Sequence, residues 1–262
     1  MGFSRAANDM SESLLTIDGV SRHFGGVTAL NEVSFAVAAG EVHALIGPNG
    51  AGKTTLIHQL SGAQRPDAGR IVFAGEEVTA LPMHARVQRG MARSWQITNV
   101  FKRLTLLDNV VLAVKGRQRD WGSGFRFWKP VDDERALLDE ARGWLAEVGL
   151  GGRERALAGS LAHGEQRQLE VVLALATKPQ LLLLDEPMAG TGPEESERMV
   201  ALIETLARHV TILLVEHDMD AVFRLADRIS VLVGGRLVCT GAPDEVRAHA
   251  EVRSAYLGEA PA

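Results

Sequence analysis

A glycine-rich loop between a predicted strand and a predicted helix constrains this chain more than any other stretch. Residues 47–55 read Gly-Pro-Asn-Gly-Ala-Gly-Lys-Thr-Thr and fit the pattern G-x-x-x-x-G-K-[ST]. The apolar run 42–46 precedes them, and Leu56, Ile57 and Leu60 follow at helical spacing. Glycines permit positive φ angles, so successive backbone N–H groups can converge on an anion. The pattern therefore predicts a nucleotide site in an α/β domain.

Two side chains of the loop are predicted to act on the phosphates directly. Lys53 neutralises the β- and γ-phosphates, and the Thr54 hydroxyl is a ligand for Mg²⁺. The helix that begins near Lys53 adds the positive end of its dipole, equivalent to about half a charge. The residues expected to contact the nucleotide are Gly47, Pro48, Asn49, Gly50, Ala51, Gly52, Lys53, Thr54 and Thr55.

The composition excludes several classes of protein. The formal net charge of −5 argues against a nucleic-acid partner, whose phosphates require a basic face. A single cysteine, Cys239, rules out an internal disulfide bond and fits a reducing cytoplasm. No run approaches the ~20 apolar residues of a membrane span. Residues 1–12 are polar and predicted to be flexible, without the apolar region of a secretory signal. Any membrane role would therefore depend on a partner.

The remaining pattern alternates strands and helices. Continuous apolar runs at 181–184 and 210–215 predict strands in a parallel sheet that is covered on both faces. A 3.6-residue period predicts a helix capped by Asp132 or Asp133 and ended by Gly149, and Pro193 begins another helix. Further strands are predicted at 14–20, 33–37, 70–74, 91–96, 229–233 and 236–240, a turn at 22–26, and helices at 82–89, 160–177 and up to 226.

Two aromatic features have alternative explanations. Phe24, in the predicted turn, either stacks on a flat base or fills a small core. The stretch 116–130 carries Trp121, Phe125, Phe127 and Trp128 among basic residues. It is either a lid over local hydrophobic surface or a surface that contacts a partner or the lipid headgroups.

An acidic pair follows the strand at 181–184. Asp185, at the strand end, is expected to bind Mg²⁺ beside Thr54, directly or through water. Glu186 is expected on the other side of the pleat, where water would attack the γ-phosphate. We therefore predict that Glu186 polarises this water.

Together these motifs resemble the ATP-binding subunit of an ABC transporter over essentially the whole chain. They occur in the family's order: Phe24, the phosphate loop, Gln96, a signature at 161–165, Asp185-Glu186 with a short loop, and His217. The resemblance implies an α/β fold of the P-loop NTPase class. It implies an ABC-type ATPase core with a mixed, largely parallel sheet, an antiparallel β subdomain and an inserted α-helical subdomain. The implied core spans 13–95 and 178–262, and the helical subdomain spans 96–177.

The resemblance also implies roles for particular residues. Phe24 would contact adenine, Gln96 would sense Mg²⁺ and water while contacting the membrane subunit, and His217 would contact the γ-phosphate. The signature would face the γ-phosphate bound by another subunit, with backbone N–H groups at a helix N-terminus. Each chain would then supply half of each catalytic site, and ATP would join two subunits until hydrolysis releases them. The signature residues are Leu161, Ala162, His163, Gly164 and Glu165.

Two residues depart from the family pattern. Ala162 replaces the usual serine of the signature, and Gly192 replaces the Asp or Asn that commonly ends the loop after the acidic pair. Loss of one hydrogen bond to a charged group costs ~1.5–3 kcal/mol. We therefore expect weakened or asymmetric turnover, and a heterodimer in which a second ATPase supplies the serine, although a homodimer is the alternative.

Several stretches resemble the branched-chain amino acid importer group in particular. They are 24–27, 92–96, the aromatic stretch and the ending 251–259. This resemblance implies two distinct ATPases, integral membrane permease subunits and, indirectly, a periplasmic binding protein, at the cytoplasmic face of the inner (plasma) membrane. Amide and urea importers belong to the same group, so the cargo stays open.

Two other functions of the same fold are alternatives. One is a soluble ATPase of iron–sulfur assembly, which spacing alone does not exclude. The other is an ATPase of lipopolysaccharide export, which typically forms a homodimer.

Overall fold

The computed structural model describes residues 13–93, 100–117 and 131–257, and two β-sheets form its frame. An antiparallel sheet has the strand order β2-β1-β4-β5, and a larger sheet has the order β10-β9-β3-β8-β7-β6. The strands are β1 (Ser13–Phe24), β2 (Val27–Ala38), β3 (Val42–Ile46), β4 (Ala68–Phe73), β5 (Glu76–Glu77), β6 (Met91–Arg93), β7 (Leu181–Asp185), β8 (Thr211–Val215), β9 (Arg228–Val233) and β10 (Arg236–Gly241).

The larger sheet is parallel except at its β10 edge, which pairs antiparallel with β9. Every residue of β3, β7 and β8 is buried, as in a sheet that is covered on both faces. Because these strands are parallel, their carboxyl ends lie at one edge, where Val215 pairs with both Leu45 and Asp185. The glycine-rich loop and the acidic pair therefore follow β3 and β7, which flank β8, at the edge where open α/β sheets bind ligands.

Helices connect and cover the strands. They are α1 (Lys53–Ser61), α2 (Met83–Val87), α3 (Leu106–Arg117), α4 (Val131–Glu147), α5 (His163–Leu175), α6 (Pro193–Leu206), α7 (Met219–Leu225), α8 (Pro243–Ala248) and α9 (Ala250–Leu257). Within the described ranges, none of these helices combines the length and the apolarity needed to cross a bilayer.

Separate hydrophobic clusters cover the two faces of the larger sheet. One cluster joins the antiparallel sheet, α1 and the larger sheet, with Leu15, Leu56 and Leu213 fully buried. Another packs α3 to α6 against the opposite face through residues such as Leu145 and Leu184. A third places α7 to α9 beside β9. The strand ends are therefore held from both sides, and the loops that follow them start from fixed positions.

Most element predictions are confirmed, including the buried strands, the helix start at Pro193 and the helix end at Gly149, which has φ +74°. The turn predicted at 22–26 is confirmed only at Gly25 and Gly26, because β1 continues to Phe24, which pairs with Val27 across these two residues.

The predicted helix caps Asp132 and Asp133 are wrong, because α4 already begins at Val131. The predictions for residues 1–12, Gln96 and the aromatic residues Trp121, Phe125, Phe127 and Trp128 lie outside the described residues. The strand predicted at 91–96 is described only over Met91–Arg93.

Candidate nucleotide-binding site

The glycine-rich loop packs so closely on its neighbours that two of its glycines leave no room for a side chain. A Cβ on Gly47 would lie 2.2 Å from the carbonyl oxygen of Leu232. Gly52, the N-cap of α1, has φ +105°, and its Cβ would lie 2.5 Å from the carbonyl oxygen of Ala29. Gly50 also has a positive φ, +80°, in open space. The loop therefore has the left-handed backbone that turns amides toward an anion.

Lys53 lies across the loop it belongs to. The side chain is buried, and its ammonium group donates to the carbonyl oxygens of Gly47 at 2.5 Å and Pro48 at 3.1 Å. Burial lowers the pKa of Lys53, while the negative charges of Glu186 and Asp185 oppose this shift. Lys53 and the acidic pair are thus electrostatic neighbours. The Thr54 side chain, in contrast, is exposed.

Asp185 forms a buried ion pair with Arg93. The Arg93 Nη2 atom donates to Asp185 Oδ2 at 2.9 Å, and at most 6% of either side chain is exposed. A second guanidinium nitrogen donates to Ser61 Oγ at the end of α1. Burial lowers the pKa of Arg93, and the carboxylate of Asp185 opposes the shift. Burial and the positive charge of Arg93 also lower the pKa of His58, while Asp185 opposes that shift.

Glu186 leaves the strand in a left-handed conformation. Its φ is +48°, which costs a residue with a side chain about 1–3 kcal/mol, and its N–H donates to Val215 O at 2.8 Å. The expectation that pleat alternation sets the direction of Glu186 is wrong, because β7 ends one residue earlier, at Asp185. A tight turn directs this side chain instead.

Glu216 lies between the loops that follow β7 and β8. Its side chain is fully buried and accepts hydrogen bonds from the backbone N–H of Met188 at 2.8 Å and of His217 at 3.0 Å. Burial raises the pKa of Glu216, and the backbone N–H donors of Met188, His217 and Asp218 oppose the shift. His217 directly follows Glu216 in the sequence, and its side chain is 59% exposed.

Phe24 is exposed at the tip of the hairpin formed by β1 and β2. Its exposed fraction is 45%, so it does not fill a small core. The Arg22 guanidinium lies over one side of the ring, with Cζ 4.9 Å from the centroid. Arg22 also pairs with Asp67 at 2.6 Å. A ring held in this way can offer its other side to a planar base.

The signature residues lie at the start of α5. Ala162 is the exposed N-cap, and its N–H donates to Glu165 Oε2 at 3.1 Å. Glu165 also forms an ion pair with Arg153. Its carboxylate therefore binds two groups near the start of α5, the Ala162 N–H and the Arg153 guanidinium. A Cβ on Gly164 would lie 2.8 Å from Cδ of Glu195 on α6, so a side chain at this position would require the Glu195 carboxylate to move.

Leu161 is buried, and the side chain of His163 lies outside the described positions. The backbone of this helix start has the polarity that favours an anion.

Sequence reasoning missed three residues of this cluster: His58, Arg93 and Glu216. A signal for Glu216 was present, because it follows the buried strand β8 as the acidic pair follows β7. Arg93 could not be found in this way, since its pairing with Asp185 joins residues 92 positions apart.

The described residues fit Mg²⁺ bound together with a nucleotide. Thr54 offers an exposed hydroxyl and Asp185 a carboxylate, which are the hard oxygen ligands that Mg²⁺ prefers. Within the described ranges, no group of three or more His, Cys, Asp or Glu side chains could hold a metal by itself. This agrees with the usual arrangement in which phosphates and water complete the coordination.

Comparison with known proteins places these features in one family. The family model described as "ABC transporter" matches residues 30–189, and the model "Branched-chain amino acid ATP-binding cassette transporter" matches residues 236–262. The chain is 39% identical to the high-affinity branched-chain amino acid transport ATP-binding protein BraF of Pseudomonas aeruginosa, covering 96% of this chain and 100% of that protein. It is 38% identical to LivG of Escherichia coli K12, with the same coverage.

Solved structures agree with these matches. The ADP conformation of MJ1267, an ATP-binding cassette of an ABC transporter, superimposes with a TM-score of 0.80 at 28% identity. That match covers 94% of this chain and 99% of the other. Fold and sequence thus agree along nearly the whole length. The chain belongs to the ABC transporter family, in the group that contains BraF and LivG, and is an ATPase subunit.

Proposed function

We propose that this chain hydrolyses ATP to drive import of branched-chain amino acids, or of related small organic solutes such as amides and urea, through separate membrane subunits. The full-length similarity to BraF and LivG carries this proposal, supported by the matching C-terminal segment 236–262. The transport ATPase works as a peripheral subunit at the cytoplasmic face of the inner membrane.

The chemistry follows from the geometry of the loops at the sheet edge. Backbone amides of the glycine-rich loop bind the phosphates. When the nucleotide binds, the Lys53 ammonium group releases the carbonyl oxygens of Gly47 and Pro48 and donates to phosphate oxygens instead. Glu186 takes the proton of the attacking water, and His217 contacts the γ-phosphate with its exposed ring. Phe24 stacks on the adenine.

Thr54, Asp185 and Gln96 are the residues that would hold Mg²⁺. When bound, Mg²⁺ neutralises phosphate charge. In this protein Arg93 already orients the Asp185 carboxylate through a hydrogen bond to Oδ2 at 2.9 Å. The carboxylate oxygens are therefore fixed before any ligand binds.

The catalytic site is completed by a second ATPase subunit. Residues 161–165 present the N-terminus of α5 to a γ-phosphate held by the partner, and Ala162 leaves that contact without a hydroxyl. A partner carrying the serine would supply the complete contact at the other site. We therefore favour a heterodimer.

An exposed apolar surface supports docking to a permease. Phe101 is 60% exposed and Leu157 is 51% exposed. The N–H of Gly159 donates to Lys102 O at 3.0 Å, which holds the two segments side by side. Phe101 follows Gln96 closely in the sequence, and the family receives its membrane subunit near that residue, so we propose the permease contact there.

Transport assays in a deletion strain test the cargo. We expect deletion to abolish uptake of labelled leucine, isoleucine and valine, and the wild-type chain to restore it. Lys53→Ala should not restore uptake, because the phosphates lose their buried cation, whereas the exposed helical control Lys115→Ala should. Unchanged leucine uptake together with lost acetamide or urea uptake would redirect the proposal to those solutes.

Affinity capture from detergent-solubilised membranes tests the assembly. Mass spectrometry should identify one other cassette protein and integral membrane subunits. Recovery of the chain without any membrane protein would contradict the importer assignment.

A further inference from the structure

The buried carboxylate of Glu216 connects two loops that the sequence places 28 residues apart. Its Oε1 atom accepts the N–H of Met188, in the loop after β7, and its Oε2 atom accepts the N–H of His217, after β8. The side chain has no exposed surface. Each oxygen therefore has its own backbone donor, and water does not compete for either bond.

These bonds hold the neighbourhood of Glu186 in place from both ends. The N–H of Glu186 donates to Val215 O at 2.8 Å, and two residues later Met188 is bound by Glu216. Between these anchors Glu186 has φ +48°, a backbone conformation that residues with side chains rarely adopt. A conformation of this kind persists only when the surroundings impose it.

We propose that Glu216 is a positioning residue for ATP hydrolysis, which fixes the backbone of Glu186 and of His217 at one spacing around the γ-phosphate. The inference rests on the roles proposed above for Glu186 and His217. Glu216 itself does not touch the nucleotide. It acts by linking the loop that contains Glu186 to the backbone of His217.

A carboxylate is the one side chain that suits this position. Glutamine has the same length and volume, but it has one acceptor oxygen, and its NH₂ group would face either the Met188 or the His217 donor. Glu216→Gln therefore removes one of the two hydrogen bonds to Met188 and His217 without leaving a cavity. Loss of function in this variant could not be attributed to lost packing.

Amide hydrogen exchange of the full-length wild-type chain is the first test. The amides of Met188 and His217 should exchange at least about tenfold more slowly than exposed loop amides, although both lie outside helices and strands. In Glu216→Gln, at least one of these amides should lose its protection, while amides within β7 and β8 keep theirs. Loop-like exchange of both amides in the wild type would overturn the proposal, whether or not the variant folds.

Kinetics of the same variant are the second test, in the assembly in which the wild type hydrolyses ATP. Glu216→Gln should lower kcat at least about tenfold and leave ATP affinity within about twofold, since the glycine-rich loop is unchanged. The control is Ile212→Val, a buried substitution on the same strand β8. Equal loss of kcat in the control, or an unchanged kcat in Glu216→Gln, would show a purely structural role and overturn the proposal.

Glu186→Gln separates this inference from the proposed function. If Glu186→Gln keeps normal turnover, the role proposed for Glu186 is wrong, and with it the reason for positioning. If Glu186→Gln loses turnover while Glu216→Gln keeps it, only the positioning inference fails.

Discussion

At the scale of single residues, the site is dominated by buried charges that are already paired within the protein. Lys53 binds two carbonyl oxygens of its own loop, Asp185 binds Arg93, and Glu216 binds two backbone amides. Buried charges without such partners would be costly, because the protein interior replaces little of the hydration they lose. ATP binding must therefore replace existing partners of these side chains rather than bury new charges. The existing partners hold the side chains in position before ATP binds.

Ala162 allows a gain-of-function prediction at this scale. Ala162→Ser should stabilise the chain by about 1 kcal/mol, because a serine at an N-cap accepts a backbone N–H of the first turn. The same hydroxyl should raise ATP turnover in the assembled transporter, since a hydrogen bond to a charged phosphate is worth ~1.5–3 kcal/mol. Thermal unfolding and steady-state hydrolysis measure the two effects separately.

Ala162→Gly is the matched control for that substitution, because glycine at an N-cap offers no hydroxyl to the phosphate. If Ala162→Ser stabilised the chain but left turnover unchanged, the signature of this chain would not contact a phosphate.

At the scale of elements, helix α1 is anchored at both ends. Gly52, at its N-terminus, packs against the antiparallel sheet, and the side chain of Arg86 binds carbonyl oxygens at its C-terminus. The Arg86 guanidinium is 1% exposed and donates to the carbonyl oxygens of Gln59 and Leu60, each at 2.7 Å. Burial lowers the pKa of Arg86 to about 10, so it remains a cation at neutral pH, where the negative end of the helix favours it.

Arg86→Met should therefore destabilise the chain by at least about 3 kcal/mol, because several buried carbonyl oxygens lose their donor. For a chain of this size the loss corresponds to a decrease in Tm of roughly 6–12 °C. The measurement is thermal unfolding. Arg70→Met serves as the control, because Arg70 is 63% exposed in its pair with Asp18 and should change stability by less than about 1 kcal/mol. A similar Tm for both variants would contradict the anchoring role.

At the scale of the whole molecule, the residues to which we assign catalytic roles lie in different layers. The glycine-rich loop and the acidic pair follow strands of the larger sheet, while residues 161–165 open α5 on the helical side of the protein. The signature thus belongs to a different element from the residues that we propose bind phosphate in the same chain. This arrangement fits a site that is completed by a second subunit.

Measuring the self-association of a Glu186→Gln chain in the presence of ATP tests whether the second subunit is another copy of this chain or a different cassette protein. We expect the isolated variant to remain monomeric in light scattering and to dimerise when it is mixed with the second cassette protein of the transporter. The reason is that Ala162 gives a homodimer two weakened phosphate contacts, while a heterodimer keeps one complete contact. A persistent homodimer with ATP would contradict the heterodimer and favour the homodimeric arrangement of lipopolysaccharide-export ATPases.

Much of the site could be read from local sequence because its parts follow strands directly. Gly47 to Thr54 and Asp185 are each adjacent to an apolar run, so local pattern and chemistry identify them together. The direction of Glu186 could not be read in this way. Strand periodicity predicts pleat alternation, but the N–H of Glu186 donates to Val215 O on the neighbouring strand β8, and this bond accompanies the left-handed turn. The exposure of Phe24 at the hairpin tip, which excludes the core-filling alternative, likewise depends on the tertiary structure.

The sequence by itself determined the fold class, the position of the glycine-rich loop and the ATPase family, because these depend on apolar periodicity and on residue types at fixed short spacing. Only the tertiary structure decided that Arg93 pairs with Asp185, that Arg86 ends α1, and that Glu216 joins the loops of Met188 and His217. The physical reason is that a buried polar group must find its partner wherever the fold brings one within about 3 Å, and sequence separation carries no information about that distance.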